Sequence, residues 1–518
     1  MSESDSAGRP VRRTAIALDA RGRSLLGVAI GVAALLVLNG LVHQASVGAS
    51  GGFIGSPVLP VVQMARPSAW RCPGPLPVGV GKESSRVLIV NSAAYAVTVT
   101  VTVARAEMTA GAISATPSVT ALRRKVFGDS QAVVELSRRG PAGFAAVSVE
   151  SDRGGIGVSE AIEGAANATG KVLPSSPCTL GSAQNGYIPA GSTAGSSSVT
   201  LSLFDPLATP AVVDVSVSNG TGLSSPPAFQ GLVVPASGLV VLDLRRWVFQ
   251  VSSLAVNATA VSGSVVVGAL EHTSEIVEIA SASPGSRPVT HANLVGTSLL
   301  VGPNKALRQW AFTALQSRIG VSSMFSVYDP GNAPVSVSVA PPGPSGKVAA
   351  LTQQVPPGGI VSFATPIAPG TRLGAESVVI SAEGGAVVVA RLTTRQRSRV
   401  LEELNSTSGT SGPKDRWLLP GAMVTRGVDD IVTLENPGGR TVSVTLLELT
   451  YGLAQEVPLE MVNVLAGTSR LIDLGALLKR ATGGFALKVS ATAPILVEQQ
   501  LRPRLGQTTA VGGIPVQP

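Results

Sequence analysis

Residues 432–446 read V-T-L-E-N-P-G-G-R-T-V-S-V-T-L. The apolar run ends at Asn436, Pro437-Gly438-Gly439 follows, and Val442, Val444 and Leu446 then alternate with Ser and Thr. Alternation with period two and β-branched residues is the pattern of a half-buried strand. Asn before Pro-Gly supplies the turn, because its side chain caps a turn and Gly tolerates positive φ. The stretch therefore reads strand, turn, strand. The same unit stands at three earlier places. VLIVN ends at Asn91 and precedes Val97, Val99, Val101 and Val103; LSLFDP carries Asp205 and precedes Val213, Val215 and Val217; FSVYDPG carries Asp329 and precedes Val335, Val337 and Val339.

Working outward, an aromatic residue opens each unit: Trp70 (WRCPGPLPVG), Tyr187 (YIPAGSTAG), Trp310 (WAFTALQSRIG) and Trp417 (WLLPGAMVTRG). Downstream, Val234-Pro235-Ala236-Ser237-Gly238 before VVLDL has counterparts in Val355-Pro356-Pro357-Gly358-Gly359 and Val464-Leu465-Ala466-Gly467, and more loosely in Gly128-Asp129-Ser130-Gln131. Each unit closes with two more strands around a small turn. Internal repetition of this length, with six or so short strands per unit, predicts an all-β chain of four tandem immunoglobulin-like β-sandwich repeats. The boundaries expected are 70–165, 187–275, 310–395 and 417–505, with linkers at 166–186, 276–309 and 396–416 and a tail at 506–518. Only 244–250 and 474–480 offer single helical turns.

These motifs resemble a repeat of actinobacterial secreted or membrane-anchored proteins, a family of unknown function. The matching residues are Tyr187-Ile188-Pro189-Ala190-Gly191-Ser192-Thr193, Asn436-Pro437-Gly438, Glu150-Ser151-Asp152 and Pro494-Ile495-Leu496-Val497-Glu498. The likeness spans about 70–505. The third unit departs from it, with Thr313-Ala314-Leu315 in place of the Pro-Gly after the aromatic. The resemblance implies a secreted or anchored envelope protein and no known reaction.

The N-terminus supports the same placement. Ser24–Val42 is an uncharged apolar run, which as a helix spans about 28 Å, close to a bilayer's hydrocarbon core. Five Arg precede it (Arg9, Arg12, Arg13, Arg21, Arg23), so by the positive-inside rule residues 1–23 form a cytoplasmic tail and 24–43 a single transmembrane helix. Residues 44–69, broken by Pro57, Pro60 and Pro67, read as a spacer. The bulk of the chain is then extracytoplasmic, at the plasma membrane; cleavage near Val47-Gly48-Ala49 would instead release it.

Composition excludes several classes. Across 518 residues only 14% are charged and 3% aromatic, with two Cys and three His. That is too few ligands for a zinc cluster or haem array. The net charge of +8 is spread out, with small clusters at Arg123-Arg124-Lys125, Arg138-Arg139 and Arg245-Arg246, read as solvated loop charges rather than a nucleic-acid face. No G-x-S-x-G, phosphate loop or H-E-x-x-H occurs. His43, His272 and His291 are scattered. Glu402-Glu403 and Asp429-Asp430 are adjacent pairs whose members face opposite ways on a strand, and they read as surface loop charge. Asn91, Asp205, Asp329 and Asn436 read as turn caps, since one carboxylate per turn is too few for calcium.

No catalytic, cofactor or metal residue is therefore expected, and no enzyme. Outside the cytoplasm Cys72 and Cys178 would pair in a disulfide. Trp70, Tyr187, Trp310 and Trp417 are either core aromatics at the sandwich ends or glycan contacts. The expected partners are the membrane and, beyond it, cell-wall glycan or envelope proteins. The expected role is a non-catalytic scaffold or adhesion stalk, the alternative a wall-polysaccharide-binding protein, and a more remote one an envelope enzyme with a site between domains.

Overall fold

The alternating valines lie on strands, as their period requires. In the computed structural model they occupy Val97–Glu107, Ala211–Ser218, Val335–Ala340 and Val442–Leu449. Val213, Val215 and Val217 are buried while Asp214 and Ser216 between them are less so. The structure describes residues 62–517 apart from intervening segments, of which 108–119, 278–291, 341–350 and 365–374 are the longest. Among the described residues all regular structure is strand except one five-residue helix (Leu474–Leu478) and two three-residue 3-10 turns (Pro227–Phe229 and Leu244–Arg246). The fold is all-β. No helix among them is long and apolar enough to cross a membrane. The predicted tail (1–23) and anchor (24–43) lie outside the described residues. Contacts divide the chain into Met1–Ile54 and Gly55–Pro518, and every described element belongs to the second unit.

Four large apolar clusters each lie between two sheets in a sandwich-like arrangement. The first, with Trp70, Val87, Ile89, Val99, Val147 and Val158, is covered on one side by the strands Thr179–Leu180, Ala69–Val78, Gly143–Ser151, Val97–Glu107 and Thr120–Val126. Ser175–Pro177, Ile156–Ala166, Ser84–Asn91 and Ser130–Glu135 cover the other. The second centres on Leu201, Val215, Phe229 and Val256, the third on Trp310, Phe325, Val337 and Val389, and the fourth on Trp417, Leu434, Val444 and Val497. In the fourth, the 22-residue strand Thr482–Pro503 takes part in both covering sheets. Within each sandwich the pairing is antiparallel, so one face of each strand meets the core and alternation follows.

The stretches expected to be linkers are themselves strands, which corrects the sequence reading. Ala292–Val301 and Leu401–Ser408 pair parallel to one another, Asn293 opposite Leu401 and Gly296 opposite Leu404. Each also pairs antiparallel with the closing strand before it, Val266–Val277 and Val388–Ser398 respectively. One eight-stranded sheet thereby runs from the second sandwich into the third. The approach is close: a Cβ at Gly296 would stand 2.1 Å from the Leu404 carbonyl oxygen, so only glycine fits. The 166–186 stretch carries Gly170–Val172, Ser175–Pro177, Thr179–Leu180 and the start of Asn185–Ile188. The tail carries Thr509–Gly512 and Ile514–Gln517. Ile514–Gln517 pairs with the opening strand Lys414–Val424 and, parallel, with Val62–Gln63 from the expected spacer, Val62 opposite Val516. Short apolar pairs such as Leu299-Leu300 gave too weak an alternation to mark these strands.

Candidate functional site

The predicted disulfide is present: Cys72 and Cys178 are bonded, with Cα atoms 4.7 Å apart. The geometry follows from pairing, because Thr179 lies opposite Arg71 and Leu180 opposite Trp70, setting Cys178 beside Cys72. Both residues are fully buried.

The four opening aromatics are core residues. Trp70, Trp310 and Trp417 have no exposed surface and Tyr187 is 8% exposed, so none offers a ring face to a sugar. Each indole N–H finds an acceptor, as a buried Trp requires. Trp70 donates to Ser68 Oγ (3.2 Å), Trp310 to the Val387 carbonyl (2.8 Å) and Trp417 to the Ile495 and Lys414 carbonyls (3.2 and 3.0 Å).

The turn residues form one device four times. The side-chain oxygen of Asn91, Asp205, Asp329 or Asn436 accepts the backbone N–H two residues on, at 3.0, 2.8, 2.7 and 3.0 Å. The two asparagines also donate: Asn91 Nδ2 to the Tyr95 and Phe127 carbonyls, Asn436 Nδ2 to the Arg440 and Val464 carbonyls. The aspartates have no such donor. Their buried Oδ2 atoms lack a hydrogen-bond partner, and desolvation raises both pKa values above the usual aspartate range.

A second recurring device escaped the sequence reading. The opening strand is bulged after its aromatic, with register slips between Cys72 and Leu76, Phe312 and Leu315, and Leu419 and Ala422. A bulge leaves backbone polar groups unpaired, and a buried side chain meets them. Glu160 Oε2 accepts from Gly74 N at 3.0 Å, and Glu271 accepts from the Ser192 backbone in the stretch that follows the second opening strand, Asn185–Ile188. Arg391 donates to the Thr313 carbonyl, and Asp430 accepts from Met423 N (2.8 Å) and Gln499 Nε2 (2.8 Å). Glu160, Glu271, Arg391 and Gln499 each continue the apolar face of a closing strand, after Val158, Ala269, Val389 and Val497, and none exceeds 2% exposure. The hydrogen-bonding role of each side chain suits what the bulge offers: carboxyl oxygens accept from N–H groups and the guanidinium donates to a C=O. The only sequence signal was a polar residue at an apolar position of the alternation.

Burial dominates the electrostatics of these carboxylates. It pushes Glu160 up to about 8, and Glu271 and Asp430 up to about 7, outweighing the hydrogen bonds that lower them. Asp430 was expected on a surface loop and is fully buried, whereas its neighbour Asp429 is exposed. Arg391 also reaches Glu498 at 2.8 Å, joining the third sandwich to the fourth. Lys488 Nζ contacts both Asp129 (3.3 Å) and Glu456, joining the fourth to the first. His272 lies within Val266–Val277 and meets Thr297 Oγ1 at 3.2 Å. Arg123-Arg124-Lys125, expected in a loop, lies on Thr120–Val126, and Arg124 donates to the Val133 carbonyl.

Among the described residues, one group of Cys, Glu, His or Asp ligand atoms lies close enough together to suggest a metal: Cys72, Glu160 and Cys178, within 4.8 Å of one another. The two sulfurs are bonded to each other and offer no thiolate.

Two surface features stand out among the described residues. A small cleft, with a cavity volume of about 50 Å³, lies where the three connecting stretches meet the tail, lined by residues 175–177 and 179, 299–303, 406–410, and 510–513 and 515. Elsewhere Trp247 and Phe249 stand 49% and 71% exposed just after the Leu244–Arg246 turn.

No family model matches the chain, and no curated protein matches it. Among solved structures, a tetra-tandem repeat in the extending region of a large adhesion protein aligns with 80% of this chain and 91% of its own, at 11% identity and a TM-score of 0.10. Escherichia coli alpha-2-macroglobulin activated by porcine elastase aligns with 88% of this chain and 45% of its own, at 10% identity and a TM-score of 0.11. At those scores neither likeness carries an argument about fold or function.

Proposed function

We propose that this chain is a non-catalytic scaffold of a bacterial cell envelope, anchored by 24–43 with residues 1–23 cytoplasmic, and built of four immunoglobulin-like repeats of the actinobacterial type it resembles. The observation that carries the scaffold reading is the pairing of the connecting stretches. Ala292–Val301 and Leu401–Ser408 bond to each other and to the sandwiches on either side, so neighbouring sandwiches are fixed to one another. A stalk of independent modules would join them by free linkers instead, with relative motion as the default. Fixed modules suit a platform that holds partners at set distances. Protease added outside intact cells tests the placement. A C-terminal tag must be lost and an N-terminal tag retained; the reverse pattern, or protection of both, contradicts it.

A second reading, wall-polysaccharide binding, is favoured by Trp247 and Phe249 in place of the buried opening aromatics. Phe229 braces the Trp247 ring edge-on at 5.6 Å, and Gln250, at positive φ, holds the following turn. Arg245 donates to the Gly195 carbonyl and Gln250 accepts from Gly195 N, which pins the segment to a second loop. Co-sedimentation with isolated cell-wall sacculi at high salt tests it. Pelleting that is lost in Trp247→Ala and Phe249→Ala supports the reading, and no pelleting of the unaltered protein removes it.

A further inference from the structure

We infer that Cys72, Cys178 and Glu160 form a zinc site when the Cys72–Cys178 bond is reduced, so that the first sandwich is stapled by a metal ion where no oxidant is present and by the disulfide where one is. The two sulfurs and a Glu160 carboxyl oxygen all lie within 4.8 Å of one another. Tetrahedral zinc, with bonds of about 2.0–2.3 Å, holds its ligand atoms roughly 3.3–3.8 Å apart, so small side-chain rotations bring the three donors onto one ion. The donor set selects the metal. Two thiolates and a carboxylate suit zinc, whereas calcium and magnesium want a shell of oxygens. The two thiolates also neutralise the ion, as its burial requires. Three protein ligands leave the fourth position to a small ligand such as water.

Glu160 carries the inference beyond the cysteine pair. It is fully buried, and its Oε2 accepts from the Gly74 N–H at 3.0 Å. Its Oε1 is buried without a hydrogen-bond partner. One oxygen thus orients the carboxyl and the other is open, the arrangement of a metal ligand steadied by an outer hydrogen bond. Meeting the bulge needs only one oxygen and leaves the cost of burying the second unanswered. The backbone sets the other side of the site: Cys178 N donates to the Val158 carbonyl at 2.9 Å, which holds Cys178 against the strand that carries Glu160. Cys72 and Glu160 stand on opposite sheets of the sandwich, in Ala69–Val78 and Ile156–Ala166. An ion between them ties the two sheets across the core, so its binding is coupled to folding. The chemistry balances in two steps. A phosphine reductant gives two electrons to the sulfur–sulfur bond and takes the oxygen of a water molecule, whose two protons leave the sulfurs as thiols. Zinc then displaces the protons of both thiols and of the carboxyl as its three bonds to them form.

Refolding of the full chain tests this, after unfolding in urea, reduction with a phosphine and dilution without oxygen. With zinc sulfate present the reduced chain is expected to refold, read from the emission of its buried tryptophans, and to keep one zinc per chain through desalting. Cobalt in place of zinc should give thiolate-to-metal charge-transfer bands and the d–d bands of a tetrahedral ion. The oxidised chain should keep no zinc, and Cys72→Ser combined with Cys178→Ser should show no charge-transfer band. Glu160→Gln, whose fold is checked by formation of the Cys72–Cys178 bond under oxidation, should hold zinc at least tenfold more weakly against a competing chelator. A reduced parent chain that keeps no zinc, or that fails to refold with it, would overturn the inference. So would equal zinc on the oxidised chain or the double serine variant, which would mean an adventitious ion only. Unchanged affinity in Glu160→Gln would overturn it too, by removing the carboxylate from the site.

Discussion

Glu160 shows how a single residue can resist a reading by pattern. It stands in V-S-E-A-I-E, where period two predicts an apolar side chain, and it is fully buried against the backbone N–H of Gly74. Its raised pKa has a thermodynamic consequence. A carboxyl whose pKa is about 8 in the folded state and 4.5 without burial binds its proton more tightly when folded. Its contribution to stability is therefore complete below about pH 4.5 and is lost as pH rises through about 8. Glu271 and Asp430, both near 7, act in the same direction at slightly lower pH. The protein should accordingly be more stable to denaturant at pH 5 than at pH 9. In Glu160→Gln, which keeps an acceptor for Gly74 without a charge, the loss over that interval should shrink by on the order of 3 kcal/mol. Urea titrations at the two pH values check this. The turn residues were legible because Asn or Asp before Pro or Gly has a local cause. What the sequence could not show was that two of the four pay for lacking a donor. Asp205→Asn and Asp329→Asn should each stabilise the protein by about 1 kcal/mol at pH 7, since the amide can donate as Asn91 and Asn436 do.

At the scale of elements, strands with strict alternation were readable throughout, because one face meets a core and the other does not. The connecting strands were not, because their neighbours lie on other modules and their pattern reflects partners distant in sequence. Ala292–Val301 is bonded on both edges, to Val266–Val277 and to Leu401–Ser408. Val295→Pro removes a backbone donor from the middle of that sheet and should cost about 3 kcal/mol or more, whereas proline at an exposed linker position would be almost neutral. Thermal unfolding of the variant distinguishes the two. The disulfide was legible from compartment and count alone. It closes a loop of sequence separation 106, so replacing both cysteines with serine should lower stability by about 3–5 kcal/mol, measured against the oxidised parent. The opening tryptophans were readable as aromatics but not as buried or exposed, which depends on the closing strands above them. Trp310→Ala leaves a cavity in the third core and should cost about 3–5 kcal/mol without altering any surface contact.

Over residues 55–518 the sandwiches are joined rather than strung. The second and third share a sheet, Arg391 and Glu498 link the third to the fourth, and Lys488 reaches Asp129 from the fourth to the first. Val62–Gln63 and Ile514–Gln517, nearly the ends of this unit, pair with each other. Repetition in the sequence marks four units, each with its own turn and alternation signals. It was silent on their joining, which depends on single polar pairs and on short strands. The fixed joining of the modules is what the scaffold reading rests on, and small-angle X-ray scattering of the 55–518 fragment tests it most directly. Joined modules predict a radius of gyration near 23 Å, the value for a compact chain of this length, unchanged between low and high salt. A value roughly twice as large, as four modules in a flexible row would give, would contradict it.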